Sequence, residues 1–378
     1  MEVGVVGFYG DFNSGDEAMA AVCLTELSRQ LPDSRIFAPC RPLVVPEDID
    51  VRWQPLARPW KRKFQSERRL CEGRCGALVF GGGSVFSDNK GTDSLDLRCR
   101  RIRALRRRGV RVAAVGVGLG PLTTREGRTI ARGLLEQFDA IVVRERTSLR
   151  VAADLGLGNA TLGFDVAVLL EEIGLSQPTV PAPGHAGGKK SLGLAICNYS
   201  QNVGRGPEED RLRLERIVRG LRSFDWAGWR LKLLVLSGHR RTGDLQVAAY
   251  LQTALRDTVE CDIVHHHPNP LLMMRQVGLC DAVVSMRLHG AVYAYAAERP
   301  FGVLSYHQKC ASFADMVGLP KSLVLDADDF APEDLHRLLA QLVATPMEPG
   351  SLMPLVEARR LARLGIARVV ETIDGERQ

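Results

Sequence analysis

The stretch "AVVSMRLHGAVYAYAAERPFGVLSY", residues 282 to 306, decides how this chain folds. AVVSM is an apolar run of strand length and FGVLSY is a second; between them lies an alanine-rich segment of helical length, closed by Glu298, Arg299 and Pro300. Neither apolar run alternates with polar residues, so each reads as a strand covered on both faces. A helix between two such strands makes them parallel members of one sheet. Arg287 and His289 stand where the first strand ends and the helix begins. That is the carboxyl edge of the sheet, where open α/β sheets hold their ligands. A solvated turn explains either residue alone, so the reading depends on what else reaches the same edge.

Working outward, the pattern recurs. "VGVVGFY", "ALVFGGG", "RVAAVGVG" and "AIVVRE" read as strands of a first half, and "LGLAICN", "LKLLVLSG" and "CDIVHHH" join the two above in a second. Amphipathic helical stretches separate them. Pro207 ahead of Glu208, Glu209 and Asp210 predicts a helix running to about Ser223, and "LVEARRLARLGIARVVETI" (355–373) predicts a last one. "SQPTVPAPGHAGGKK" (176–190), rich in Pro and Gly and without periodicity, reads as a linker. The expected fold is α/β, with two doubly wound, Rossmann-like domains facing a cleft. Their bounds are 1–178 and 191–345, with a linker over 179–190 and a C-terminal helical segment over 346–378.

At 378 residues the chain exceeds one hydrophobic core, and 45% hydrophobic with 25% charged residues describes a folded, soluble protein. A net charge of +6 favours anionic partners only weakly. Of two basic runs, "RPWKRKFQSERRL" (58–70) and "RCRRIRALRRRG" (98–109), the second has Leu97, Ile102 and Leu105 as apolar points. It reads as a helix with one buried stripe and a solvated arginine face. The sharper reading is a surface for acidic lipid head groups or a diphosphate-bearing acceptor. Aromatic residues make up 6% of the chain and do not interleave with these runs, so nucleic acid is not expected. "MEVGVVGFYG" reads as a strand rather than a leader, no apolar run reaches transmembrane length, and nine scattered cysteines fit reduced thiols. The expectation is a cytoplasmic protein whose membrane contact, if any, is peripheral at the inner face. Cys71 and Cys75 lack a second pair, and "HHHP" (265–268) puts only His265 and His267 on one side of a strand, so no metal is expected.

Other strand ends carry polar residues as well. In "GFYGDFNSGDEAMAAVCL" (7–24), Gly7, Gly10 and Gly15 allow a tight backbone, Asn13 and Ser14 can hydrogen-bond locally, and Asp16 and Glu17 open a helix. Capping accounts for one carboxylate; Asp16 as a cap and Glu17 as a first-turn charge would together be worth roughly 1 kcal/mol. A ligand loop accounts for both, with Asp16 or Glu17 accepting a hydroxyl proton or holding a sugar. "ALVFGGGSVFSD" (77–88) runs into Gly81, Gly82, Gly83 and Ser84, where backbone amides can approach an anion or a sugar. "AVGVGLGPL" (114–122) has proline directly after G-x-G-x-G, which is not a dinucleotide fingerprint; no nicotinamide, flavin or other cofactor is expected. "AIVVRERTSLRVAADLG" (140–156) ends a strand at Arg144 and Glu145 ahead of Ser148, and "GFDVAVLL" (163–170) places Asp165 after a glycine. Each is explicable singly as a turn or cap residue.

Taken in order, "GFYGDFNSGDEA", "FGGGSVFSD", "GVGLGPL", "VRERTSL", "GFDVAVL", "SMRLHGAVYA" and "PFGVLSYHQKCASFADMVGL" resemble the polysaccharide pyruvyl transferases over most of the chain. The resemblance implies a glycosyltransferase-B-like architecture, with an acceptor-side N-terminal domain and a donor-binding C-terminal one. It implies transfer of a pyruvyl group from phosphoenolpyruvate onto a hydroxyl pair of a sugar or glycoconjugate, lipid-linked acceptors included, as a cyclic ketal. Arg287 would hold the donor and His289 would be the general acid. Asp16 or Glu17 would serve the acceptor, while Asn13, Gly82, Gly83, Ser84, Arg144, Asp165, Leu288, Tyr306 and Lys309 would line the substrates. One departure is visible: an arginine common just after the first strand of the second domain is replaced by Asn198 and Tyr199.

The residues support this chemistry independently. A helix beginning near Leu288 offers free amides and a positive dipole end, and Arg287 adds a planar fork for carboxylate or phosphate. These charges disfavour imidazolium at His289 until a trianionic donor binds and favours it, so the donor itself arms the acid. The rival readings are a glycosyltransferase with a nucleotide-sugar donor and a non-catalytic relative of the fold.

Overall fold

A computed structural model describes residues 1–54, 75–89, 91–176, 188–200, 206–344 and 350–375. The basic run at 58–70, Cys71 and most of the expected linker lie outside the described residues. The chain forms two compact units, Met1–Gly10 with Asp16–Ser176 and Val356–Gln378, and Asp11–Gly15 with Gln177–Leu355. The sequence reading set 346–378 apart and kept 11–15 in the first domain, whereas the structure distributes both differently.

The first unit holds a seven-stranded, wholly parallel sheet. Its strands are β1 (Glu2–Val6), β2 (Arg35–Ala38), β3 (Val51–Trp53), β4 (Ala77–Phe86), β5 (Arg111–Leu119), β6 (Ala140–Val143) and β7 (Ala160–Leu162), in the order β3-β2-β1-β4-β5-β6-β7. The second unit holds six parallel strands: β8 (Lys190–Ala195), β9 (Trp229–Leu234), β10 (Cys261–Val264), β11 (Ala282–Ser285), β12 (Phe301–Ser305) and β13 (Val324–Asp326). Their order is β10-β9-β8-β11-β12-β13. Both sheets therefore wind outward in two directions from their first strand. Each has one switch point, between β1 and β4 and between β8 and β11. Ligands of doubly wound sheets bind just beyond the carboxyl ends at that point.

The crossover helices of the first unit are α1 (Ser14–Gln30), α2 (Asp93–Arg106), α3 (Arg125–Leu135) and α4 (Arg146–Asp154). Those of the second are α5 (Pro207–Ser223), α6 (Leu245–Leu255), α7 (Pro270–Gly278), α8 (Leu288–Ala296) and α9 (Gln308–Val317); α10 (Pro332–Ala344) and α11 (Leu355–Asp374) follow the last strand. Small side chains let α1 sit deep, and every residue from Glu17 to Thr25 is buried. α2 buries Leu95, Cys99, Ile102 and Leu105, a cleaner i, i+4, i+7 stripe than the Leu97 reading, since Leu97 is only half-buried. α11 comes close to β6, where a Cβ on Gly365 would lie 2.7 Å from Val142 Cγ1.

Asp88, beyond the end of β4, ties the turn into α3. Its carboxylate accepts from the amides of Thr123 at 2.9 Å and Thr124 at 2.8 Å, and from both hydroxyls. Burial alone would raise its pKa, but these donors outweigh it and hold the group below the ordinary carboxylate range. A depressed folded pKa means stabilisation that is present above the unfolded value and lost as pH falls through the folded one. Asp88→Ala is expected to cost about 2 kcal/mol at pH 7. In urea melts the gap from wild type should shrink as pH is lowered below about 4.

Candidate functional site

At the second switch point β11 ends at Ser285, and the Met286 amide still bonds to the Ala195 carbonyl at 2.8 Å. Arg287 is the extended residue that caps α8, so the first amides of that helix, from Leu288 and His289, point out of the carboxyl edge. The guanidinium turns back onto Asp244. Nε donates to both carboxylate oxygens at 3.0 and 2.9 Å, and Nη2 donates to Oδ1. Asp244 is 1% exposed and also accepts from the amides of Leu236 at 3.1 Å and Ser237 at 2.9 Å. Burial pushes the Asp244 carboxyl up against the pull of Arg287; burial works to lower the Arg287 pKa, but Asp244 overcomes it and holds it above its ordinary value. Every polar neighbour named here is an N–H donor, the surroundings of an ion pair. Arg287 keeps 17% exposure, with Nη1 outside the contacts to Asp244.

His289, half-buried in the first turn of α8, is seated by the segment Asp11–Gly15, which belongs to the same unit. A Cβ on Gly15 would overlap the imidazole Nδ1 and Cγ and lie 2.6 Å from His289 Cβ, so only glycine permits this ring position. One residue earlier, the buried Tyr293 hydroxyl donates to the Ser14 carbonyl at 2.9 Å and accepts from the Ser14 hydroxyl at 2.9 Å. The segment is held in turn by the loop that Asp244 organises: the Ser14 amide donates to Leu236 at 3.0 Å, and the Gly238 amide to Phe12 at 2.8 Å. Asn13 bridges to Ser237, and its Oδ1 accepts from the Gly15 amide at 3.3 Å. Arg287, Asp244, residues 236–238, residues 12–15 and α8 thus form a closed circuit around His289.

Beside this circuit Tyr306 follows β12, with Lys309 Nζ 5.5 Å from its ring centroid. Tyr199, on the loop after β8, meets the Tyr306 ring edge to face at 4.4 Å. The loop itself is fixed by Asp210 Oδ1, which accepts from the Tyr199 and Ser200 amides at 3.1 Å each and from Arg213 at 2.6 Å. Arg213 is buried. No described group of His, Cys, Asp or Glu is arranged to hold a metal ion.

In the first unit several expected substrate residues bind one another instead. Arg144 keeps only 4% exposure: Nε donates to Glu145 at 3.0 Å, Nη1 to Asp165 at 3.1 Å and Nη2 to Ser84 at 3.2 Å. Burial tends to lower its pKa, and Glu145 and Asp165 more than reverse this. A guanidinium so occupied is an internal tie in this structure, and Asp165 and Ser84 belong to the same tie. Glu17 is 1% exposed and paired with Arg41. Gly82 leaves its Cβ position to Met19, so it serves packing, and Leu288 is a buried side chain that offers only its backbone. Asp16 differs: it is half-buried, and its Oδ1 lies 3.9 Å from where a Gly83 Cβ would stand. Gly83 has φ +83°, and its Cβ position meets Phe8, Val85 and Asp16 at 3.5–3.9 Å.

Asp244, Tyr293 and Arg213 were missed from sequence. Asp244 in "TGDLQ" reads as a helix cap, yet its side chain makes no cap bond and instead reaches 43 residues onward. Asp244→Ala should leave a buried guanidinium without its partner and cost about 3–5 kcal/mol in denaturant titrations, against under about 1 kcal/mol for Asp257→Ala on the surface.

The family model described as polysaccharide pyruvyl transferase matches residues 13–308. The amylovoran biosynthesis protein AmsJ of Erwinia amylovora is 21% identical over 260 residues, 65% of this chain and 60% of that protein, so the match spans less than two thirds of the relative. Among solved structures, a putative UDP-N-acetylglucosamine 2-epimerase from Listeria monocytogenes superposes with TM-score 0.63 at 10% identity, covering 99% of this chain and 96% of its own. S. aureus MnaA with UDP gives 0.64 at 10%, covering 99% and 95%, and a ugt transferase from Siraitia grosvenorii gives 0.54 at 10%, covering 99% of each. At such identity the likeness is one of fold, two Rossmann-like domains of the glycosyltransferase-B class. With more than half of its length matched in one stretch, the chain belongs to the polysaccharide pyruvyl transferase family.

Proposed function

We propose that this protein transfers a pyruvyl group from phosphoenolpyruvate to a hydroxyl pair of a sugar in a glycan or glycoconjugate, forming a cyclic ketal. The observation that carries the reading is the seat of His289: a half-buried imidazole in the first turn of α8, next to Arg287, held in one position by Gly15. A helix start and a guanidinium favour a multiply charged anion at this edge. Lys309, beside Tyr306 after β12, adds a second cation.

In the proposed sequence, Arg287 and the leading amides of α8 bind the donor beside His289. His289 gives its proton to the methylene carbon, which becomes a methyl group and leaves an oxocarbenium-like centre. An acceptor hydroxyl attacks that centre and loses its proton to a base, a role that suits Asp16, next in the chain after Gly15. The carbon–oxygen bond to phosphate breaks, and the second hydroxyl closes the ketal and passes its proton to His289, which regenerates the acid. Each turnover converts one donor and one diol into one ketal and one phosphate, with no redox change. Family membership and the amylovoran biosynthesis relative support a role in polysaccharide modification. No described helix is long and apolar enough to cross a membrane, and the exposed Arg103 and Arg107 of the α2 region suit peripheral contact with acidic lipid.

Incubation with phosphoenolpyruvate and a panel of sugar acceptors should yield a pyruvyl ketal by mass spectrometry together with equimolar phosphate. Release of a nucleoside diphosphate from a nucleotide sugar, with no ketal, would favour glycosyl transfer instead. His289→Gln should abolish turnover while donor affinity stays within about threefold, and a variant that keeps most of its rate refutes the acid. Gly15→Ala, which forces the same ring aside, should lower kcat by about 100-fold and, because His289 Cβ itself lies 2.6 Å from the added methyl, cost about 1–3 kcal/mol in a denaturant titration.

A further inference from the structure

Phe12 combines two features that each disfavour phenylalanine. Its φ is +58°, in the left-handed region where a bulky side chain is an outlier, and it remains 40% exposed. Asparagine or glycine would relieve the first and any polar residue the second. The backbone conformation is imposed by the pairing of residues 12–14 with 236–238, which needs no particular side chain at position 12. The ring itself is what remains to be explained.

That ring is braced. His266, on the loop after β10, meets it edge to face with centroids 6.3 Å apart. His266 fits because residue 238 is glycine, where a Cβ would lie 2.7 Å from the imidazole Nδ1. The loops after β1, β9 and β10 therefore hold an exposed aromatic ring at the carboxyl edge of the second sheet. It belongs to the same five-residue segment whose Ser14 and Gly15 seat Tyr293 and His289.

We propose that Phe12 is the platform on which the acceptor sugar packs, a specificity-determining residue for the transfer. A phenyl ring carries no charge and no hydrogen-bonding group, so it cannot hold the phosphate or carboxylate of the donor. What it recognises in water is apolar surface, and a pyranose offers such surface on the face where its C–H bonds gather. Backbone strain retained at a functional site fits a side chain kept for its ligand. This inference rests on the reading that a sugar is the acceptor.

The test uses Phe12→Asn, which accepts the left-handed backbone, and Phe12→Trp, which keeps a ring. Saturation-transfer NMR with methyl β-D-galactopyranoside and methyl β-D-glucopyranoside should show transfer to at least one glycoside from wild type and Phe12→Trp, and none from Phe12→Asn. With an acceptor that turns over, Phe12→Asn should raise the acceptor KM roughly tenfold, leaving kcat, the donor KM and Tm near wild type. An unchanged acceptor KM in Phe12→Asn, or no saturation transfer from wild type, overturns the platform. If no ketal forms with any acceptor but sugar contact still depends on the ring, the platform stands and pyruvyl transfer falls. If ketal forms and Phe12→Asn is indifferent, only the platform falls.

Discussion

The second domain depends on one buried ion pair. A carboxylate as hidden as Asp244 is tolerated because its oxygens are met by N–H donors from two loops, the amides of Leu236 and Ser237 after β9 and the guanidinium of Arg287 after β11. Fixing those loops fixes a third, since residues 236–238 pair with residues 12–14, and these bring Gly15 beneath the imidazole of His289. The position of the proposed acid is thus set by an interaction it does not itself make.

Each domain places a guanidinium at a strand end, and their surroundings give them different work. Arg144 is shared by two carboxylates, Glu145 and Asp165, and carries Asp16 as a further negative influence, so that edge of the first domain is a poor place for an anion. Arg287 faces one carboxylate and stands at the start of a helix, whose dipole leaves a positive surplus. The count of partners, more than the residue type, separates an internal tie from a ligand site. Asp16 and Glu17 differ in burial: Glu17 is 1% exposed and paired with Arg41, whereas Asp16 is half-buried.

Much of this was legible in the sequence because it is local. Continuous apolar runs marked the longer strands, Pro207 with three acids marked the start of α5, and the Arg-Leu-His motif fell where a strand becomes a helix. The strands β3, β7 and β13, of three residues each, carry too little pattern to read, and the four-residue β2 went unread as well. Glycine 15 was visible as a turn residue, but its reason, an imidazole 274 positions away, is tertiary. The same holds for Asp244, whose sequence neighbourhood looks like any helix start, and for Arg144, whose two acidic partners come from a neighbouring residue and from another loop.

The affiliation of Asp11–Gly15 with the second unit means that the two domains are not separable at a single cut. The chain passes between them four times, twice within the first sixteen residues, and the second unit closes only with five residues borrowed from the start of the polypeptide. A fragment beginning at residue 177 would carry the whole six-stranded sheet and still lack the strip that props its imidazole. During synthesis, that strip must wait for most of the chain before its partner exists.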